Sequence, residues 1–263
     1  MARANAAYYA SRDPFADFTT APEICQAFGE VLGLWAAVTW EQLGRPDPVI
    51  LAEAGPGRGT LMRDALRAIT AAAPAFRAAL SVHLIETSPR LRATQAAALG
   101  DATWHDHART LPDQPLILLA NEFLDALPIR QFVRRGNGWF ERFVRGAGFA
   151  ERPAPAPGRE GRDGEVVEVR EAALELAGLL GRRFAARAGA ALFLDYGPTE
   201  STPGDSLQAI RVGRPADPFS APGSADLTAH VDFAALAHAA HSAGASVHGP
   251  LPQGIFLTRL GLM

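Results

Sequence analysis

The chain has 263 residues, 48% hydrophobic and 20% charged, with a formal net charge of −3. That is ample material for a core in one large or two small domains. Its cationic side chains are all arginines, outnumbered by acids, so the charge balance excludes an electrostatic argument for a nucleic-acid partner.

The opening MARANAAYYASRDPF lacks the apolar core of a signal peptide, and no later stretch supplies the roughly 20 apolar residues that span a bilayer. The expectation is a cytoplasmic protein without membrane insertion. Cys25 stands alone, which excludes an internal disulfide and a multi-cysteine metal site; it is expected to be a small buried apolar side chain. From about residue 22 to 43, Ile24, Phe28, Leu32, Trp35 and Val38 recur at spacings of three and four, predicting a helix with one buried stripe. VILAEAG then reads as a buried strand, GPGRG as a turn, and TLMRDALRAITAAA as a helix ending before Pro74.

SVHLIETS predicts a second strand, followed by a helix with Pro89 in its first turn and Gly100 at its end. A short strand around 102–104, polar HDHARTLPDQP and the buried strand PLILLANEF come next. IRQFV and WFERFV flank RRGNG as a hairpin, and residues 151–165, rich in proline, glycine and charge, predict a mobile loop or insertion tip. A helix from about residue 170 leads to the strand ALFLDYG, and Asp232 is placed to cap a helix from Phe233. Strands alternating with helices predict an α/β fold, a mostly parallel sheet with helices on both faces. Residues 1–45 are expected to form an N-terminal helical segment, and 46–263 the main domain with an insertion at about 130–165.

Gly55, Gly57 and Gly59 permit positive dihedral angles and bare backbone between strand and helix, where open α/β sheets bind ligands. A phosphate loop is excluded, because its lysine is missing. The dinucleotide pattern is also a poor fit: the third glycine comes one residue early, Pro56 stiffens the turn, and Glu53 would repel a pyrophosphate. S-adenosylmethionine (SAM), cationic and without phosphate, suits the same acid. Glu86, ending the second strand, is placed to accept from ribose hydroxyls, with Thr87 and Ser88 next to it, and Asp106 lies where an adenine amine needs an acceptor. Three acids after three successive strands favour SAM over unliganded, solvated strand ends.

Together these segments and DFTTAPEICQAFGEVLGLW, NEFLDALPIRQFV, DLTAHVDF and QGIFLTRLG closely resemble the MidA family of SAM-dependent methyltransferases, which includes mitochondrial complex I assembly methyltransferases. The resemblance implies a Rossmann-like class I methyltransferase sheet, SAM as methyl donor and, for mitochondrial members, methylation of an arginine on a complex I subunit. It places Gly55, Pro56 and Gly57 in the SAM loop, Glu86 on the ribose, and Thr20, Ala21 and Pro22 in a lid over the cofactor. Gly213, Pro252 and Ile255 depart from the family pattern, in the half expected to shape the substrate pocket.

Methyl transfer from a sulfonium needs alignment and exclusion of water more than acid–base work. An arginine nucleophile is permanently charged, so carboxylates that grip two of its nitrogens would expose the third. NEFLDALP follows the fourth strand: Glu122 is assigned the clamp, Asp125 the second acid and Asn121 an orienting amide, against the alternative that Asp125 caps a short helix. Asp195 and Tyr196 are a pocket wall or a structural hydrogen bond, and His230 with Asp232 a polar pair. His105 and His107 are read as polar loop residues rather than a metal site, for want of a third ligand; His238 and His241 are read as surface residues. Arg134, Arg135, Arg142 and Arg145 are read as a solvated hairpin face before a docking surface. The expected partner is a protein substrate, a respiratory-complex subunit among the candidates. The alternatives are a small-molecule substrate, or a SAM-binding assembly factor without turnover.

Overall fold

The computed structural model describes residues 1–11 and 20–262. The part of DFTTAPE before Thr20 therefore lies outside the described residues. The chain divides into two compact units, the first comprising Thr19–Phe123, Gly178–Asp195 and Ala240–Met263, the second Met1–Phe18, Leu124–Ala177 and Tyr196–Ala239.

In the first unit, β1 (Val49–Ala54) is buried at all six positions, as a strand apolar on both faces requires. It pairs in parallel with β2 (Leu80–Ile85) on one side and β4 (Leu116–Asn121) on the other; β3 (Thr103–His105) and β9 (Gly189–Leu194) complete the parallel order β3-β2-β1-β4-β9. Chain order reverses between β1 and β4, which makes the carboxyl ends of those strands the ligand-binding edge of such a sheet. Helices α2 (Ala21–Ile24), α3 (Gln26–Gln42), α4 (Thr60–Ala72), α5 (Pro74–Ala79) and α6 (Pro89–Leu99) flank the sheet. The predicted α/β architecture is observed, and the helix read from residue 22 divides at Cys25, whose extended backbone separates α2 from α3. Cys25 is exposed, a correction to the expected buried thiol: a residue between two helices contributes to neither buried stripe.

Phe28, Leu32, Trp40, Met62 and Phe76 join β1 in one core. The two long helices meet through glycine: a Cβ on Gly33 would stand 2.6 Å from the Ala65 carbonyl oxygen, and one on Gly29 2.8 Å from the Asp64 Cβ. Arg67 of α4 then bonds Glu30 of α3 at 2.9 Å and Asp64 at 3.0 Å.

The second unit contains the predicted hairpin, β5 (Arg130–Arg135) and β6 (Gly138–Arg145), paired up to Arg135 with Gly138. It is extended by β7 (Gly148–Ala154) and β8 (Val166–Val169) into an antiparallel sheet of order β7-β6-β5-β8. Residues 151–154, expected in a mobile loop, thus belong to a strand; Pro153 is tolerated because β7 is an edge. Phe132, Trp139 and Val167 form a small core under it. A second sheet joins β10 (Gln208–Arg211), β11 (Arg214–Ala216) and β12 (Asp226–Thr228). Its two-residue hairpin needs positive φ at both central positions, met by Val212 (52°) and Gly213 (68°), which gives the Gly213 departure a local structural reason. Against β12 lies α1 (Ala2–Ser11), whose Asn5 amide donates to the Leu227 carbonyl at 2.8 Å and accepts from its N–H at 3.3 Å, imitating a strand neighbour. The remaining helices are α7 (Glu171–Ala186), α8 (Phe233–Ser242) and α9 (Gln253–Arg259). Asp232 caps α8 as expected, accepting from Ala235 N–H at 2.8 Å.

Replacing Gly33 by alanine should lower the midpoint of thermal unfolding, at a cost of about 1–3 kcal/mol, because the clash is with the α4 backbone and no side chain can rotate away.

Candidate functional site

Beyond β1 the chain turns through Gly55, Gly57 and Gly59, with φ of 66°, 54° and 81°. Gly55 still pairs with the Ile85 carbonyl at 3.0 Å, and Gly59 closes the turn onto the Pro56 carbonyl at 2.7 Å. A Cβ at Gly55 would stand 2.8 Å from the Phe123 ring, so both the dihedral and the space demand glycine.

Glu53 is 3% exposed. Its carboxyl accepts a hydrogen bond from the Met62 N–H in the first turn of α4, a helix whose N-cap, Gly59, has no side chain to offer. Oε2 has no partner among the described residues. Burial pushes its pKa up to about 8, which corrects the expectation of a charged acid: in the free protein at neutral pH Glu53 is mostly protonated. A cation placed against Oε2 would restore the charge.

Glu86 is half-buried, and desolvation raises its pKa. Oε1 accepts from Ser88 N–H at 2.7 Å and Oε2 from the Gln95 amide at 3.3 Å, leaving lone pairs for a diol. Ser88 is buried and caps α6 through Leu91 N–H, while Thr87 is exposed. Asp106 is exposed and ion-paired with Arg92 at 2.7 Å. Arg92 also donates through Nε to the Glu86 carbonyl at 2.7 Å. Sequence reading missed this arginine and, more consequentially, Gln95. Fully buried, Gln95 binds the Gly57 carbonyl at 2.8 Å, the Glu86 carboxylate and the Trp104 indole, joining the glycine turn to Glu86. A lone glutamine in an alanine-rich helix carries no motif.

In the TAPE segment, Thr20 is half-buried and Pro22 buried. The residue that ties this segment to the glycine turn is Glu23, which accepts from the Thr60 hydroxyl at 2.5 Å and faces Arg58 at 3.7 Å.

At the end of β4, Asn121 is half-buried and its amide lies 3.4 Å from Glu122 Oε1. Glu122 is exposed with φ of 47°, a left-handed conformation unusual outside glycine. It is held there from both sides: its N–H bonds the Leu194 carbonyl at 2.8 Å, and the Phe123 N–H bonds Asp195 Oδ2 at 3.2 Å. Asp195 thus makes the structural bond foreseen as one of its two roles. Such held strain concentrates at functional positions.

Asp125, in the second unit, is 4% exposed and followed by a turn, so the helix-cap alternative has no helix to cap. Tyr196 donates its hydroxyl to Oδ2 at 2.7 Å, and burial raises the Asp125 pKa against that bond. His230 meets Tyr196 edge to face at 5.9 Å, whereas Asp232 bonds Ser201; the expected His230–Asp232 pair is two separate contacts. The same unit holds a cavity of about 590 Å3 lined by Glu168, Arg170, Leu174, Val231 and Leu236 among others, and no sequence-derived cofactor or catalytic residue lines it.

His105 pairs with His83 at 2.8 Å rather than with His107, and among the described residues no cluster of three metal-ligating side chains occurs. His238 and His241 are exposed as expected. Arg135 and Arg142 are ion-paired with Glu151 and Asp205. Among the described residues no helix is long and apolar enough to cross a membrane.

The donor set suits SAM: a turn with glycine at three alternate positions, a buried acid with an unused oxygen, and a half-exposed carboxylate on the next strand. Comparison with known proteins agrees. Residues 31–251 match the model of a family described as putative S-adenosyl-L-methionine-dependent methyltransferases. The mitochondrial protein arginine methyltransferase NDUFAF7 homolog of Drosophila melanogaster is 36% identical over 97% of this chain and 68% of its own length. The mitochondrial NDUFAF7 of Mus musculus is 34% identical over 97% and 67%. A Burkholderia thailandensis protein bound to S-adenosyl-homocysteine superposes with a TM-score of 0.74 at 28% identity, covering 94% of this chain and 68% of that one. A native structure from the same organism gives 0.79 at 28%, covering 99% and 75%. The mitochondrial designation of the curated relatives overturns the expected cytoplasmic location.

Two measurements check the site. The native state keeps a proton on Glu53 that the unfolded chain gives up above its ordinary value of 4.5. That stabilisation is complete below the unfolded pKa and is lost as pH rises through about 8. Glu53→Gln, which needs no proton, should therefore gain thermal stability relative to the parent across that window; a pH-independent difference would mean the carboxyl is already ionised. Gln95→Met should weaken SAM binding roughly tenfold by calorimetry, the worth of one or two lost hydrogen bonds.

Proposed function

The chain belongs to this family of SAM-dependent methyltransferases, and from that premise we propose that it methylates an arginine side chain of a protein. The observation that carries the substrate reading is Glu122, an exposed carboxylate held in a left-handed conformation at the carboxyl end of β4. The arginine specificity in the names of the curated relatives agrees with it. A respiratory-complex subunit is the substrate class consistent with the family resemblance.

SAM, when bound, supplies a methyl group on a sulfonium sulfur that is already activated to leave. The residues that would hold it are Gly55, Pro56 and Gly57 through their backbone, Glu86 through the ribose hydroxyls with Thr87 and Ser88 beside it, and Asp106 through the adenine amine. Glu53 would offer its buried carboxyl to the positive end, and Thr20 and Pro22 would cover the ligand. Glu122 accepts hydrogen bonds from two guanidinium nitrogens, which localises charge there and leaves the third to attack. A guanidinium nitrogen that gains a methyl must release a proton, which passes to solvent water, since both Glu122 oxygens are committed to the other two nitrogens. Asn121 orients Glu122 through its amide, and Asp125, three residues on, serves as the second acid.

Glu122→Gln should leave SAM affinity unchanged and lower transfer of labelled methyl to protein by about a hundredfold or more. Glu122→Gly should abolish transfer yet unfold at higher temperature, because it releases on the order of 1 kcal/mol of backbone strain. Label entering only small molecules would redirect the substrate reading, and SAM binding with no transfer to any fraction would favour an assembly factor without turnover.

A further inference from the structure

We infer that Arg170 is a positioning residue for the Asp125 carboxylate: its buried guanidinium grips the backbone carbonyls of Asp125 and Leu127 and supplies the positive charge that faces that acid. The inference rests on Asp125 being the second acid of the proposed transfer.

Arg170 closes the segment after β8 and is 7% exposed. An arginine cannot shed its charge, so a buried one must have its donors satisfied. Here they are met by main-chain carbonyls: Nε donates to Leu127 at 3.1 Å, Nη1 to His230 at 2.8 Å, and Nη2 to both Asp125 at 3.1 Å and Ala229 at 2.8 Å. Two stretches distant in sequence, 125–127 and 229–230, are thereby fixed to one rigid planar fork. Ala229 N–H also bonds the Asp125 carbonyl at 3.1 Å, and Asn5 holds the Ala126 carbonyl at 2.9 Å. The backbone that carries Asp125 is consequently pinned at three consecutive carbonyls, and its side chain by Tyr196.

The charge matters as much as the grip. Among the described residues, the groups facing Asp125 include Tyr196 after β9, Arg170 before α7 and Tyr9 of α1, which donates to Asp226 of β12 at 2.8 Å; His230 reaches it through the Tyr196 ring. Arg170 is the cation among them. Its field favours the ionised carboxylate, opposing the burial that favours the protonated one. A neutral acid cannot grip a guanidinium, so the balance between these two effects bears directly on transfer.

The experiment follows Asp125 in the whole protein by carbon NMR of its carboxyl, assigned by loss of the signal in Asp125→Asn, with SAM affinity and methyl transfer measured alongside. Arg170→Met should move the Asp125 titration to higher pH, shift the acid limb of the transfer profile with it, and leave SAM affinity within about twofold. Arg170→Lys keeps the charge but loses the fork, so the titration should stay near the parent's while transfer falls. An unchanged titration in folded Arg170→Met overturns the inference. Should that variant fail to fold, parental transfer by Arg170→Lys overturns it instead. A shifted titration together with full transfer by Asp125→Asn leaves the Arg170 coupling standing and removes Asp125 from the proposed chemistry.

Discussion

β1 is enclosed by its neighbours along its whole length: every residue is buried, and its ladder to β2 continues one residue past the strand, at Gly55. The chain must leave that ladder where the Phe123 ring already occupies the space a side chain would need. Only glycine satisfies both demands, and the turn that results presents bare N–H and carbonyl groups at the edge where chain order reverses. The rest of the candidate cofactor site hangs from this constraint. Gln95 ties Gly57 to Glu86, and Glu23 ties the TAPE segment to Thr60 at the start of α4.

Two acids of the candidate site, Glu53 and Glu122, are held under tension of different kinds. Glu53 keeps a proton because burial outweighs its single bond to Met62. Glu122 keeps an unfavourable dihedral because Leu194 and Asp195 fix the peptides around it. A ligand with positive charge relieves the first by restoring an ion pair. The second is not relieved, and it sets the direction in which the Glu122 side chain leaves the backbone before any substrate arrives.

The alternation of strands and helices and the glycine turn were legible because each is a local pattern with a local cause; Glu86 and the acids of NEFLDALP stand out as candidates for the same reason. The Asp232 cap on α8 was legible for the same reason. Less so were the extra strands of the insertion: residues 151–154 look like a loop because they carry proline and charge, yet an edge strand accepts both. Location was not legible at all: no local pattern of fold or site records the compartment in which the mitochondrial relatives are named.

Sequence by itself determined the fold class, the cofactor's chemical class and the candidate acids, because side-chain periodicity and residue type act over a few positions. Tertiary structure alone decided the protonation of Glu53, the strain at Glu122, and the roles of Gln95 and Arg170. Those depend on desolvation and on bonds between residues far apart in the chain, 45 and 59 positions for Arg170 with Asp125 and Ala229. No window along the sequence contains both ends of such an interaction, so its physical consequence becomes visible only once the chain has brought them together.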